Sequence, residues 1–259
     1  MGFLLNERLL MAISRDPGRC DYAEGQQQWT GEGALSILER VFPNFMEAII
    51  GKKILDFGCG EGYQVIALAK GGAQFVMGVD SNPLAVKNSE QLADSIGLSD
   101  RVRFATTLPD DMFGFFDMII SQNSFEHFSN PLEILFVMKK ALNQSGKIFI
   151  TFGPPWFAPY GSHTQFFVRL PWVNILFREQ TVMKARSRYR SDGAKKYEDV
   201  EDGLNKMTIR KFEHLLRRFA SRVEFKKYEC VKGMNFLRFL PFVRELFINH
   251  ASCILVISE

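Results

Sequence analysis

Paired cysteines, long apolar runs and histidines are what this 259-residue sequence has little of. Its four cysteines, Cys20, Cys59, Cys230 and Cys253, show neither paired spacing nor a CxxC motif. That argues against a disulfide framework and a zinc site, and it fits a reducing compartment. No apolar run approaches the roughly 20 residues needed to span a bilayer. The N-terminal stretch "MGFLLNERLLMAISRDPG" carries Glu7 and Arg8 inside its apolar part, which argues against a secretory signal core. Asn6 stands where a myristoylation signal needs Ser or Thr. Glycine (20) and proline (10) are not in excess and no window is low-complexity, which argues against disorder beyond the termini. The expectation is a cytoplasmic, soluble chain with a substantial core, since 46% of its residues are hydrophobic.

Charge is unevenly distributed. Residues 1–153 hold 13 Lys and Arg against 18 Asp and Glu, a net of −5; residues 154–259 hold 19 against 11, a net of +8. A solvated basic face explains the second half, as does a surface that meets an anionic substrate or membrane.

Periodicity then sets the architecture. "KILDFG" (53–58), "QFVMGVD" (74–80), "RVRFATT" (101–107), "FDMIISQ" (116–122) and "KIFITFG" (147–153) read as buried strands. Between them, "YQVIALAKGG", "NPLAVKNSEQLADSIG" and "PLEILFVMKKALNQSG" read as helices, with Pro83 near a first turn. Strand–helix alternation with short connections predicts an α/β fold with a doubly wound, mostly parallel sheet. At Pro154 the rhythm breaks into a stretch rich in aromatic residues, read as an insertion over 154–204 that is partly helical over 172–188. "TIRKFEHLLRRFA" (208–220) is an amphipathic helix, and "RVEFKKYECV" (222–231) and "SCILVISE" (252–259) are closing strands. The expected organisation is an N-terminal helical segment (1–50), a ligand-binding core (51–153), a substrate cap (154–204) and a C-terminal part completing the sheet (205–259).

Directly after the first strand come Gly58, Gly60 and Gly62 at alternate positions, a spacing that suits neither a helix nor a packed strand. Bare backbone at the carboxyl end of a parallel strand is where doubly wound folds bind ligands. The dinucleotide fingerprint needs its third glycine one residue later, where Tyr63 stands. Asp80, at the end of the second strand, is spaced to accept hydrogen bonds from a ribose diol. Asp56, at the end of the first, is spaced to sit beneath a cationic group. A helix cap is the bland alternative for Asp80, because "DSNP" caps well.

Asp56-x-Gly58-x-Gly60-x-Gly62, Asp80, "FDMIISQNSFEHFSNP" and "ALNQSGKIFITFGP", in that order, resemble the class I S-adenosylmethionine-dependent methyltransferases, in their small-molecule branch. The resemblance covers about 50–153 and implies a seven-stranded Rossmann-like sheet and S-adenosyl-L-methionine as methyl donor. Carried over, it sets Gly58, Cys59 and Gly60 against the methionine portion, with Gly62 also among the cofactor-binding residues, and Asp80 with Ser81 at the ribose. Thr106 and Thr107 stand where the family often has an acid near the adenine, and Gln122 and Asn123 should face the sulfonium or the acceptor.

Four histidines limit the choice of a base. His127 lies near the reaction face, and His163 in "PYGSHTQFF" is placed to reach over the methyl group; His214 and His250 read as structural. Trp156, Phe157, Tyr160, Phe166, Phe167, Trp172 and Phe177 form either a packed lid core or an apolar acceptor pocket. Arg186, Arg188 and Arg190 read as a solvated surface, with a phosphate clamp as the alternative. "MNFLRFLPFVRELF" (234–247) reads as a helix packed on the sheet, with peripheral membrane contact as the alternative. The expected acceptor is a hydroxyl of a small molecule, glycan or lipid-linked intermediate. The competing readings are an RNA or protein methyltransferase and a non-catalytic cofactor-binding module. No separate nucleic-acid module is evident, which points away from a nucleic-acid partner.

Overall fold

The computed structural model describes residues 7–16, 31–200, 203–219, 222–241 and 243–257. The ends of the expected N-terminal and C-terminal segments, residues 1–6, 17–30 and 258–259, lie outside these. Ahead of the sheet come helices α1 (Glu7–Ile13), α2 (Ser36–Val41) and α3 (Phe45–Ile49). The alternating core follows: β1 (Lys53–Phe57), α4 (Tyr63–Lys70), β2 (Phe75–Val79), α5 (Pro83–Ser95), β3 (Val102–Ala105), β4 (Phe116–Gln122), α6 (Pro131–Ala141) and β5 (Leu142–Phe152). The chain continues through α7 (Val173–Leu176), α8 (Glu179–Arg186), α9 (Ile209–Phe219), β6 (Arg222–Cys230), α10 (Arg244–Phe247) and β7 (Ile248–Val256).

Seven strands form one sheet in the order β3-β2-β1-β4-β5-β7-β6. Strands β1 to β5 pair in parallel, while β7 runs antiparallel to both β5 and β6. The chain therefore reverses its direction of travel across the sheet between β1 and β4, creating a crevice at their carboxyl ends. Two apolar layers flank the sheet, and the period-2 alternation of strand side chains assigns residues to them. Leu55, Ile119 and Ile150 belong to one layer; Ile54, Ile120 and Phe149 belong to the other. Strands buried on both faces read as continuous apolar runs, which is why they were legible.

Helix α9 lays Ile209, Phe212, Leu216 and Phe219 on the first layer, with the Phe212 ring 4.8 Å from Phe152 and 5.5 Å from Phe125. Its basic residues face outward, as an amphipathic helix requires. Between β5 and α9 the inserted aromatic residues build a small core of their own. Phe167, Val173, Phe177, Val182 and Tyr197 are buried there together with Leu10 of α1. Arg186 departs from the solvated surface expected of the three arginines. It is buried and makes a bidentate pair with Asp192, both contacts 2.6 Å.

Two other expectations differ. β5 begins five residues earlier than its apolar run, because Leu142 pairs with Phe116 across an irregularity before Met118. The 234–247 stretch is no packed helix: a 3-10 turn covers Asn235–Phe239, and Pro241 separates it from α10. Phe236 and Phe239 are left 67% and 72% exposed. Among the described residues, no helix is long and apolar enough to cross a membrane.

Candidate active site

The loop between β1 and α4 is shaped by contacts that only glycine permits. Gly58, Gly60 and Gly62 all have left-handed backbone, with φ of 86°, 51° and 75°. A Cβ on Gly58 would sit 2.5 Å from the Ser124 side chain, and one on Gly62 would meet Ser89 at 2.7 Å and Phe104 at 2.8 Å. A Cβ on Gly60 would meet nothing within 4 Å. Gly58 and Gly62 thus serve packing, whereas Gly60 borders open space.

Asp80 ties this loop to the end of β2. Its Oδ2 accepts the Gly60 N–H at 2.8 Å, and Oδ1 accepts the Asn82 N–H at 2.9 Å. The cap of α5 is Asn82, whose side chain accepts from the Leu84 N–H at 3.0 Å. A carboxylate has about four acceptor positions, so two remain for hydroxyl donors. Asp56 lies beneath the loop, 1% exposed, with Oδ2 lacking a partner. Burial raises its pKa to about 7; a Gln64 hydrogen bond opposes this, and the nearby Asp80 charge adds to it. Gln122 Oε1, just after β4, is a second buried oxygen without a partner. Burial and the two carboxylates push the Cys59 thiol far upward, so it is no nucleophile. Ser81, Thr106 and Thr107 are exposed on the turns after β2 and β3. Bare backbone, a carboxylate with spare acceptor positions and two orphaned oxygens fit a cationic, hydroxyl-bearing ligand of the S-adenosylmethionine kind.

The "EH" segment after β4 holds the next layer in place. Ser124 Oγ donates to the Gly58 carbonyl at 3.0 Å. Glu126 is buried, and its Oε1 accepts the Gly153 N–H at 3.2 Å, joining this segment to the end of β5. His127 Nδ1 lies 2.7 Å from the Gly203 carbonyl, a contact in which the ring nitrogen donates. Its ring centroid is 5.5 Å from that of His163. The structure therefore brings the two candidate bases together, in a cavity of about 160 Å3 lined also by Ser162, Thr164, Arg186 and Tyr197. His163 Nε2 is buried without a partner, and burial, with His127 adding, lowers its pKa to about 4. His214 is exposed on α9.

A larger cavity, of about 710 Å3, opens elsewhere, at the ends of β4 and β5 and beside the β6–β7 pair. Asn123, Gly153, Arg40, Lys227, Arg238 and His250 are among its lining residues. Asn123 has left-handed backbone (φ 49°) and a buried Oδ1 without a partner. His250 is 9% exposed, and neither ring nitrogen has a hydrogen-bond partner. In the sequence His250 reads as structural. Its place in the cavity follows from the Glu229↔His250 register of β6 on β7, which no local pattern announces.

Comparison with known proteins places this geometry. Residues 50–154 match the family model described as "Methyltransferase domain". The ubiquinone biosynthesis O-methyltransferase of Pseudomonas aeruginosa (strain LESB58) is 31% identical over 105 residues, 40% of this chain and 45% of that protein. The match thus spans about half the length of that curated relative. The ribosomal protein L11 methyltransferase of Photobacterium profundum is 44% identical over 63 residues, 24% of this chain and 21% of that protein. A putative S-adenosylmethionine-dependent methyltransferase from Listeria monocytogenes superposes with a TM-score of 0.56 at 14% identity, covering 87% of this chain and 98% of that one. Strand order and glycine loop agree with that match: residues 50–154 are similar to a methyltransferase domain, and the chain shares its fold with an S-adenosylmethionine-dependent methyltransferase.

Proposed function

We propose that the chain is an S-adenosylmethionine-dependent methyltransferase acting on a hydroxyl of a small molecule, glycan or lipid-linked intermediate. One observation carries the reading: the 710 Å3 cavity reaches Asn123 and Gly153, next to the Ser124 that touches the glycine loop. An acceptor in that cavity lies beside the cofactor residues. The similarity to ubiquinone biosynthesis O-methyltransferases supports a hydroxyl acceptor.

In this reading Gly58, Cys59 and Gly60 lie along the methionine portion, with Asp56 and Gln122 as acceptors for its amino group. Asp80 takes the ribose hydroxyls, with Ser81, Thr106 and Thr107 at the rim. When bound, S-adenosylmethionine supplies a methyl group already activated by its sulfonium. The protein's part is alignment, which alone supplies effective molarities of ~10⁵ M or more. The aromatic core of 154–204 acts as a cap that excludes water, and His127 and His163 fix it against the "EH" segment. The exposed Phe236, Phe239 and Leu240 beside Arg238 suit peripheral contact with a membrane carrying a lipid-linked acceptor. Cys59, Cys230 and Cys253 are free thiols, in keeping with the cytoplasm.

A label partition tests the proposal. Purified protein and methyl-labelled S-adenosylmethionine are incubated with a cell extract, then separated into polar metabolites, lipid-linked material, protein and RNA. Label in either of the first two pools is expected. Label confined to protein or RNA overturns the acceptor class, and the likeness to the L11 methyltransferase then becomes the guide.

A further inference from the structure

We propose that the 710 Å3 cavity takes an acceptor bearing both a hydroxyl and an anionic group, carboxylate or phosphate. Arg238, Arg40 and Lys227 hold the anion, and His250 takes the hydroxyl proton. The inference rests on the methyltransferase reading and extends it to the acceptor's chemistry.

Orphaned polar atoms give the hydroxyl its place. Buried polar groups almost always have hydrogen-bond partners, yet in two residues of this wall Asn123 Oδ1 and both ring nitrogens of His250 are buried without any. All belong to residues that line one cavity. A ligand hydroxyl has one proton to donate, and the tautomer of His250 decides which ring nitrogen takes it. His250 Nδ1 lies 3.8 Å from Glu229 Oε2, so the carboxylate favours the tautomer with its proton on Nδ1. Nε2 is then the acceptor.

Charge gives the anion its place. Glu229 is already engaged by Arg40 at 2.9 Å and Lys227 at 2.9 Å. Three cations thus line the cavity against one carboxylate. Arg238 stacks 4.7 Å over the Phe239 ring and has no carboxylate partner among the described residues. A guanidinium of this kind binds carboxylate or phosphate in a fork. The same surroundings keep His250 a base. Burial pushes its pKa down to about 4, Glu229 opposes that, and Arg40 and Lys227 push it further down. It is therefore neutral at pH 7. On transfer, the acceptor oxygen bonds to the methyl carbon, the carbon–sulfur bond breaks with its electron pair kept by sulfur, and the hydroxyl proton passes to His250 Nε2.

Imidazole NMR on the ¹⁵N-histidine-labelled full chain reads this directly, with His250→Gln assigning the signals. Inorganic phosphate is the probe, with sodium chloride at matched ionic strength as control. Phosphate is expected to shift the His250 signals saturably, chloride is not, and Arg238→Gln is expected to weaken the response about tenfold. No phosphate response, or one equal in Arg238→Gln, overturns the anion site. A His250 ring already protonated at pH 7 without phosphate overturns its role as base. S-adenosylmethionine is titrated into the same samples. If it binds and phosphate does not, this inference fails and the methyltransferase reading stands. If phosphate binds and S-adenosylmethionine does not, the methyltransferase reading fails, and the acceptor role of the cavity with it.

Discussion

Asp80 Oδ2 accepts the Gly60 N–H at 2.8 Å, so the acid at the end of β2 fixes the one loop glycine that borders open space. This contact connects the sheet's parallel order to a binding surface. β2 sits beside β1, and the register Phe57↔Val79 carries Asp80 alongside the loop that leaves β1.

The two kinds of loop glycine separate in mutants. Gly62→Ala is expected to destabilise the fold by about 1–3 kcal/mol, because its methyl group overlaps Ser89 and Phe104. Gly60→Ala carries only the left-handed backbone cost of about 1–2 kcal/mol, but it narrows the ligand's approach. Denaturant unfolding alongside S-adenosylmethionine titration checks this. Loss of affinity in Gly60→Ala beyond its stability loss is the expected result; equal behaviour of the two mutants would refute the distinction.

Asp56 predicts a pH dependence. Its folded pKa, about 7, stands above the ordinary ~3.9 of an unfolded chain, so its contribution favours the fold at low pH. That contribution is lost as pH rises from about 4 through 7. A cationic amino group beside it favours the ionised carboxylate, so S-adenosylmethionine affinity should rise as pH rises through 7. Asp56→Asn should flatten both profiles. Calorimetric titrations at pH 6, 7 and 8 decide it, and a pH profile unaltered in Asp56→Asn would count against the assignment.

The cap depends on the Arg186–Asp192 pair. Asp192→Asn leaves a buried guanidinium without its carboxylate and should cost about 1.5–3 kcal/mol. Arg186 holds the Asp192 carboxyl below the usual range. A depressed folded pKa means stability present above the unfolded value and lost as pH falls through the folded one. Wild type should therefore lose part of its margin below about pH 4, and Asp192→Asn should lack that component. Urea midpoints across pH 3 to 6 test both statements.

Much of the fold was legible because the sheet is buried on both faces. "KILDF", "FVMGV" and "FDMIISQ" are apolar runs bounded by turns, and Gly58, Gly62 and Asn82 mark the joints at which strands become helices. The glycine loop and Asp80 are also local, lying within 25 residues of each other. What escaped was made by distant pairing. Arg40 meets Glu229 across 189 residues, and His250 enters a cavity only because β7 is inserted between β5 and β6. The start of β5 escaped for another reason. "LNQSG" carries turn residues, and its strand geometry comes from pairing beside Phe116 rather than from propensity. The 234–247 stretch misled by composition: its apolar residues resemble a core helix, but Pro241 divides it and leaves its phenylalanines exposed.

Equilibrium titration of S-adenosylmethionine into wild type and Asp80→Ala at pH 7.5 tests the central claim most directly. One saturable site in wild type is predicted, weakened in Asp80→Ala by about 1–3 kcal/mol, or roughly 5- to 150-fold. Absence of binding in wild type, or equal affinity in both, would contradict the account.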